Sequence, residues 1–433
     1  MQSHNGGVDA VDQITVDGTP NQDQILLDFR NGKYSAEDAL ALLRQARTLE
    51  YPLSKNQHGL WLLQELEAES TAYNVPFCVR LPAPLDVPRL QVAWELIRKR
   101  HAPLGSVIQL KDGMPMHVVA DAQVRRGAVD SFGHEDVSAL DEAELTARLT
   151  KEAATPFLLS EGPLMRLLVC TAAPDRHVLL FVAHHIVFDG VSMFVLLNEL
   201  FHTYEAFGLG RPAGLKPLPA SYADFVAWER RFLESSEGAA SRRFWLDRLS
   251  GTLPRLTLPI EQTPDAAGQV AARKLTLGLD DALVSRIRDV CRAMPAARSV
   301  SYPAFFLGIY QLLLYRYTGE SDIIVGMPVA GRPQKDFEGL IGHFVNMIPV
   351  RCRIDDQQPV RDFLVDLDST VLDGLDHSPY PFVSLVADLG SGSAAQKDPV
   401  FEVVFAFQSG NLARPSGMPQ RGGLLQKLEV LDE

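Results

Sequence analysis

The chain has few cysteines, and none are spaced to act together. Only four occur in 433 residues, and they stand far apart at Cys78, Cys170, Cys291 and Cys352. Disulfide frameworks and thiolate metal sites use closely spaced cysteines, such as C-x-x-C pairs. The pattern therefore predicts reduced core thiols in a cytoplasmic protein.

Positive charge is also in short supply, and long apolar runs are missing. Lys and Arg number 41 against 54 Asp and Glu, which gives a formal net charge of −13. Because nucleic-acid binding depends on basic surfaces, this balance argues against nucleic acid as the main partner. No apolar run approaches the roughly 18 residues that a membrane-spanning helix requires, and the polar, acidic N-terminus does not have the form of a signal peptide. The sequence predicts a soluble protein without a membrane partner.

Several common catalytic motifs are absent as well. The chain has no Walker loop and no G-x-G-x-x-G, so ATP and dinucleotide binding lack support. It has no G-x-S-x-G nucleophile elbow for a serine hydrolase and no H-E-x-x-H or other spaced cluster for a metal. We therefore expect no metal site and no resident cofactor.

Helical and strand patterns alternate along the chain, which predicts a mixed α/β architecture of two lobes. The first lobe is expected to contain a helix after Ser54, a hairpin across "RLLVCTAAPDRHVLLFVAHH" and a helix from Gly190 onward. The second is expected to contain a helix between Ser301 and Gly319 and strands at "DIIVGMPVAGRP" and "VFEVVFAFQ". The Pro- and Gly-rich segment 208–220 is the best boundary between the lobes.

The stretch "HHIVFDG", residues 184–190, follows the apolar run "VLLFVA". Because successive strand residues point to opposite faces, His184 and His185 cannot both face one cavity. One should pack inward, and the other should act by acid–base or hydrogen-bond catalysis on a substrate that brings its own electrophile. Asp189 is placed to cap the next helix, and Gly190 would permit a tight turn or the close passage of a ligand.

The stretch "HHIVFDG" resembles the HHxxxDG signature of the condensation domains of nonribosomal peptide synthetases, in the chloramphenicol acetyltransferase-like superfamily. Further motifs resemble those of the family in the family's order, from about Tyr51 to Gln408. They are "LSKNQHGLWLL" (53–63), "SYADFVAWE" (221–229), "IGHFVNMIPVR" (341–351), "HSPYPF" (377–382) and "KDPVFEVVFAFQ" (397–408).

The chain also departs from the family pattern. Where the family has R-H-x-x-L-R-T, this chain has "RHAPLGS", in which Gly105 and Ser106 replace the second Arg and the Thr. Family members also run some tens of residues past the position of Glu433, so we expect a fragment of a longer chain. The expected parts are a tail with a linker or docking helix over Ile25–Leu49 (1–50), an N-terminal lobe (51–212) and a truncated C-terminal lobe (213–433).

The resemblance implies two acetyltransferase-like lobes in a V-shaped pseudo-dimer with a tunnel between them. Upstream donor and downstream acceptor carrier proteins would deliver their substrates on phosphopantetheine arms, and adenylation or polyketide synthase modules would complete the assembly line. His185 would be the catalytic histidine, His184 its inward-facing support, and Gly190 a residue that borders the tunnel.

Three further residues are assigned to substrate contacts or to structural support: Asn346, Arg332 and Ser192. Asn346 could offer its amide to a substrate carbonyl or to the local backbone. Arg332 is the expected partner of Asp189, since a buried carboxylate needs a counter-charge and Gly105 has removed another candidate. An ester-forming domain with a hydroxyl acceptor, and a non-catalytic carrier-recruiting domain of the same fold, remain alternatives.

Overall fold

The computed structural model describes residues 49–119, 131–259, 275–293, 300–390, 399–408 and 429–431. The predicted tail and nearly all of the predicted linker helix lie outside these ranges. The last residue of that helix, Leu49, begins a β-strand instead.

Strands and helices follow one another along the described residues. The strands are β1 (Leu49–Pro52), β2 (Asn74–Leu81), β3 (Ser106–Lys111), β4 (Met114–Val119), β5 (Phe132–Asp136), β6 (Met165–Ala173), β7 (Arg176–His184), β8 (Asp322–Val329), β9 (Asn346–Arg353) and β10 (Glu429–Leu431). The α-helices are α1 (Lys55–Leu66), α2 (Val87–Arg100), α3 (Glu142–Ala153), α4 (Gly190–Gly208), α5 (Tyr222–Glu234), α6 (Ser236–Arg248), α7 (Asp281–Ala293), α8 (Tyr302–Thr318), α9 (Val360–Asp376) and α10 (Phe382–Gly390).

The N-terminal lobe is built on a five-stranded sheet in the order β10-β2-β7-β6-β5. The predicted hairpin is present, with β6 and β7 antiparallel. Strand β7 lies between β2 and β6, and every residue from His177 to His184 is buried. Helices α2 and α4 cover one face of the sheet, where Trp94 and Phe201 are almost fully buried. The strand that ends in the two histidines is therefore the most enclosed element of this lobe.

The C-terminal lobe has a smaller described sheet and a second apolar core. Strands β8 and β9 pair in antiparallel register, and helices α8 and α9 contact each other beside them. Helix α8 begins and ends as predicted: the Ser301 side chain accepts from the Ala304 N–H, and Gly319 closes the helix in the left-handed conformation with φ 75°. A φ of this sign favours glycine because it carries no Cβ.

The segment "VFEVVFAFQ" was predicted to form a strand, and this prediction is wrong in its regular form. The segment makes one parallel bridge, between Gly326 of β8 and Val404. Gly326 donates its N–H to the Val403 carbonyl at 2.9 Å and accepts from the Phe405 N–H at 2.9 Å. The apolar residues thus lie beside β8, but a regular ladder is not formed among the described residues.

The predicted lobe boundary coincides with segment 209–221, which contains no helix or strand and joins α4 to α5. Gly210 and Gly214 in this segment both have positive φ. The far end of the chain differs from the predicted division, since β10 pairs with β2 in the N-terminal sheet. Residues 429–431 therefore belong structurally to the first lobe.

Residues 330–345 form a loop between β8 and β9, which we call the bridging loop. Ile341 of this loop packs within the core of the N-terminal lobe and is 1% exposed. The Ile341 N–H also contacts Nδ1 of His101 at 3.4 Å, which belongs to the matched "RHAPL" stretch. The bridging loop therefore carries residues of the C-terminal lobe into the first lobe.

The described helices include none that is both long and apolar enough to cross a membrane.

Candidate active site

The two adjacent histidines are separated by a change of backbone conformation. His184 is the last residue of β7, and His185 begins a short 3-10 turn, His185–Val187. His184 is fully buried. Its Nδ1 accepts from the Ile186 N–H at 3.1 Å, so its proton lies on Nε2, 3.2 Å from Gln64 Oε1. Burial, followed by the neighbouring His185 charge, lowers the pKa of His184 to about 4. The predicted inward-facing orientation of His184 is confirmed.

His185 is half-buried, and its hydrogen bond fixes its tautomer. Its Nδ1 lies 2.7 Å from the Phe188 carbonyl oxygen. Because a carbonyl oxygen only accepts, Nδ1 must carry the ring proton, and Nε2 keeps a free lone pair. This is the tautomer that a general base needs, since the lone pair accepts the substrate proton.

A third imidazole, which the sequence reasoning did not single out, lies against His185. Nδ1 of His343 is 3.2 Å from Nδ1 of His185, and the rings meet edge to face with centroids 4.8 Å apart. Burial, followed by the His185 charge, lowers the pKa of His343 to about 3. His343 occupies the variable position of the quoted G-x-F-V-N motif, which is why the motif gave no signal for it.

Asp189 and Arg332 form the predicted ion pair across the lobes. The guanidinium donates from Nη1 to Asp189 Oδ2 at 2.9 Å and from Nη2 to Oδ1 at 3.0 Å. The Phe344 N–H donates to Oδ2 at 3.1 Å, and both charged side chains are at most 5% exposed. Burial by itself would raise the pKa of Asp189, but the charge and hydrogen bonds of Arg332, with those of Ser192, outweigh it and hold this pKa below its ordinary value.

Ser192 supports this pair rather than facing open space. It is fully buried. Its N–H and hydroxyl donate to Asp189 Oδ1 at 2.8 and 2.7 Å, and its hydroxyl accepts from the Gly342 N–H at 3.1 Å. The expected helix cap at Asp189 is thereby confirmed, and Ser192 serves structural support.

Gly190 is the first residue of α4 and is exposed. Its φ is not positive, so the backbone there does not require glycine. A Cβ at this position would meet no heavy atom within 4 Å. The tight-turn interpretation is therefore wrong, while close passage of a ligand stays a prediction.

Asn346 uses its amide on the protein itself. Its Nδ2 donates to the carbonyls of Ser378 and Tyr380, both at 2.8 Å. Its Oδ1 accepts from Asn56 Nδ2 at 3.0 Å and from the Phe382 N–H at 2.9 Å. Both polar atoms are occupied, so of the two predicted roles the structure favours contact with the local backbone.

A buried polar chain behind the histidine turn was also not predicted. Gln57, which lies in the S-x-x-Q motif, donates from Nε2 to the Ile186 carbonyl at 2.6 Å and contacts Nε2 of His117 at 3.0 Å. Nδ1 of His117 lies 2.8 Å from the Ser106 hydroxyl, which in turn donates to the Pro103 carbonyl at 2.8 Å. Ser106 thus keeps a hydroxyl group where the family pattern has Thr, and Gln57 holds the turn that carries His185.

A cavity of about 200 Å³ lies next to Arg332 at the junction of the lobes. Glu229 of α5 lines it and is 6% exposed. Its Oε2 accepts the Lys55 N–H of α1 at 2.8 Å. Burial raises the pKa of Glu229 to about 7. The first turn of α1 is therefore tied to a carboxyl group whose charge changes near neutral pH.

The described residues contain no group of three or more His, Cys, Asp or Glu side chains placed to hold a metal ion. The chemistry of the site therefore has to be argued from imidazole, carboxylate and guanidinium groups.

Comparison with known proteins adds to this geometry. The sequence model described as "Condensation domain" matches residues 48–421. The chain is 37% identical over 363 residues to the polyketide synthase PksN of Bacillus subtilis (strain 168), which covers 84% of this chain and 6% of that protein. It is 33% identical over 374 residues to a linear gramicidin synthase of Brevibacillus parabrevis, which covers 86% of this chain and 7% of that protein. The chain thus spans only a small part of the length of these relatives.

Solved structures show the same fold. The first condensation domain of the calcium-dependent antibiotic synthetase, in complex with a substrate analogue, superposes with a TM-score of 0.68 at 22% identity, covering 83% of this chain and 79% of that chain. The X-domain from teicoplanin biosynthesis superposes with a TM-score of 0.72 at 23% identity, covering 88% of this chain and 81% of that chain. The predicted chloramphenicol acetyltransferase-like fold class is confirmed.

Proposed function

Because the chain belongs to the condensation-domain family of nonribosomal peptide synthetases, we propose that it joins two carrier-bound substrates through an amide bond. The donor is an acyl or peptidyl thioester, and the acceptor is an aminoacyl thioester with a free amine. Both arrive on phosphopantetheine arms of partner carrier proteins, at opposite mouths of a tunnel between the lobes. Either a peptide or a polyketide module supplies the donor.

The observation that carries this proposal is the fixed tautomer of His185. Its Nδ1–H is held by the Phe188 carbonyl at 2.7 Å, so the lone pair on Nε2 is available at a half-buried position. A thioester is already activated, and the reaction therefore needs only an oriented amine and a group to manage one proton.

The step balances with one histidine. The amine nitrogen attacks the thioester carbonyl carbon, and Nε2 of His185 accepts the proton that the amine loses. Collapse of the tetrahedral intermediate breaks the C–S bond, and the proton passes to the leaving thiolate. His184 and His343 stay neutral at physiological pH, since their pKa values lie at about 4 and about 3.

The test uses a donor carrier loaded with an acyl thioester and a panel of acceptor carriers loaded with amino acids or hydroxy acids. Mass spectrometry of the acceptor carriers should show an amide product with the wild-type chain. His185→Ala should lower its rate by a factor of about 100 or more, because general acid–base catalysis contributes about 10²–10⁴-fold.

Thermal melting of His185→Ala should match the wild type, whereas the control His184→Ala should lose about 1–3 kcal/mol of stability as a buried hydrogen-bonding group is removed. Near-wild-type product from His185→Ala would rule out this role for His185. Product only with hydroxy acids would favour ester formation. Carrier binding without any product would favour a recruiting domain.

A further inference from the structure

His343 is held against His185 by contacts to its own backbone and to the residues beside it. The Tyr222 hydroxyl donates to the His343 carbonyl at 2.6 Å. On either side, the Gly342 N–H donates to Ser192 and the Phe344 N–H to Asp189, both at 3.1 Å. His343 is only 5% exposed. Its ring therefore has a fixed place in the site, although it arrives from the other lobe.

Proton accounting at the two rings assigns each nitrogen a role. The Phe188 carbonyl requires the ring proton of His185 to sit on Nδ1. His343 Nδ1 lies 3.2 Å from that same nitrogen, so it must present a lone pair, because two N–H groups cannot point at each other. His343 therefore carries its proton on Nε2, and the Nδ1–H of His185 is shared between a carbonyl oxygen and an imidazole lone pair.

We propose that His343 is a positioning residue for His185: its Nδ1 lone pair orients the catalytic ring and stabilises the imidazolium that forms when Nε2 takes the amine proton. This rests on the proposed function of His185. The assignment follows from the ring contact and the hydrogen-bond geometry. The low pKa of His343 supports it, because a neutral ring keeps its lone pair.

The surrounding charges leave this contact as a local one. The titratable groups that face the two rings are His184, Asp189, Arg332 and Tyr222. His184 stays neutral, Asp189 is paired with Arg332, and the Tyr222 hydroxyl donates to a backbone carbonyl. A charge on the His185 ring is therefore met at Nδ1 by the Phe188 carbonyl and the His343 lone pair.

The direct test is the tautomeric state of both rings in the intact chain. Long-range ¹H–¹⁵N spectra of ¹⁵N-histidine-labelled protein, assigned with His343→Asn and His185→Ala, should show His185 protonated on Nδ1 and His343 protonated on Nε2. A His343 ring protonated on Nδ1 would overturn the proposal. This readout needs no substrate, so it stands or fails separately from the proposed condensation activity.

The kinetic test compares three variants in the carrier condensation assay. In His343→Leu the lone pair is lost, so the plateau rate should fall about 3–10-fold and the acidic limb of the pH–rate profile should move to lower pH by about half a unit to one unit. In His343→Asn the amide oxygen replaces the lone pair, and the limb should stay within about 0.2 units of the wild type.

His202→Leu serves as the matched control, because it removes an imidazole that contacts the Ala213 carbonyl at 3.0 Å, away from this site. Its profile should coincide with that of the wild type. An unmoved acidic limb in His343→Leu, or equal profiles for the Leu and Asn variants, would show that His343 only fills space.

Discussion

The two lobes hold their imidazoles in different ways. His185 follows a strand that is buried in the middle of a five-stranded sheet, with a neighbour on each side. His343 lies on the bridging loop, whose position depends on hydrogen bonds from side chains such as Asp189 and Tyr222. Apolar burial and ladder hydrogen bonds therefore place one half of the site, and a few polar contacts between lobes place the other. The second half is the one that single substitutions can detach.

Removing the ion pair should break this difference most strongly. Asp189→Ala and Arg332→Ala should each lower the free energy of unfolding by roughly 3–5 kcal/mol, since each leaves a buried charge without its partner. The double variant should lose less than the sum of the two. Chemical denaturation of the four members of the cycle measures the coupling.

A surface pair provides the control for that cycle. Arg353 lies 3.3 Å from Asp322, and its side chain is 77% exposed. Arg353→Ala should therefore cost less than about 1 kcal/mol. If the losses from Asp189→Ala and Arg332→Ala simply add, the two residues are not energetically coupled.

Glu229 should make the contact between lobes depend on pH. Its pKa is raised from the ordinary value of 4.5 to about 7. Between these values the folded chain keeps a proton that the unfolded chain has released, so stability is fully present below about pH 4.5 and is lost as the pH rises to about 7. The loss is at most about 3 kcal/mol, and Glu229→Gln should abolish it.

The measurement is the unfolding free energy of wild type and variant between pH 4.5 and 8. Glu234→Gln, on the same helix but 67% exposed at the side chain, should reproduce the wild-type slope. Identical slopes for wild type and Glu229→Gln would contradict the assignment.

Gly190 should give the smallest change in stability. Because a side chain there would meet no heavy atom within 4 Å, Gly190→Leu should alter the unfolding free energy by no more than about 0.5 kcal/mol. If a phosphopantetheine arm passes this glycine, the same change should slow carrier condensation several-fold. Gly278→Leu, also in open space, is the control. Normal turnover by Gly190→Leu would show that the arm takes another path.

The sequence predicted the features that depend on local pattern or on the cost of burying charge. Alternating apolar runs around Pro174 predicted the β6–β7 hairpin, and a carboxylate at a helix start predicted both the cap and the need for a cation. Arg332 could be chosen because the loop after a strand of the other lobe was expected near the site. Each of these inferences used residues whose chemistry allows few arrangements.

The remaining features depend on contacts between distant parts of the chain. His343 is 158 positions from His185, and nothing in local spacing brings two such rings together. Asn346 had two open roles because an amide can serve either substrate or backbone, and only tertiary packing decides between them. The segment around Val404 has strand-like composition, but whether a ladder forms depends on its partner rather than on its own propensity.

The segment 209–221 has a consequence for building hybrid assembly lines by recombination. It offers an obvious crossover point, because it contains no helix or strand and its cut leaves each lobe's described apolar core largely intact. A crossover there would nevertheless take Asp189 and Arg332 from different parents, and likewise the Lys55 N–H and Glu229. Parents for such a hybrid therefore have to be matched at the bridging loop and at the start of α1, and a similarity score averaged over the whole chain would not report on either position.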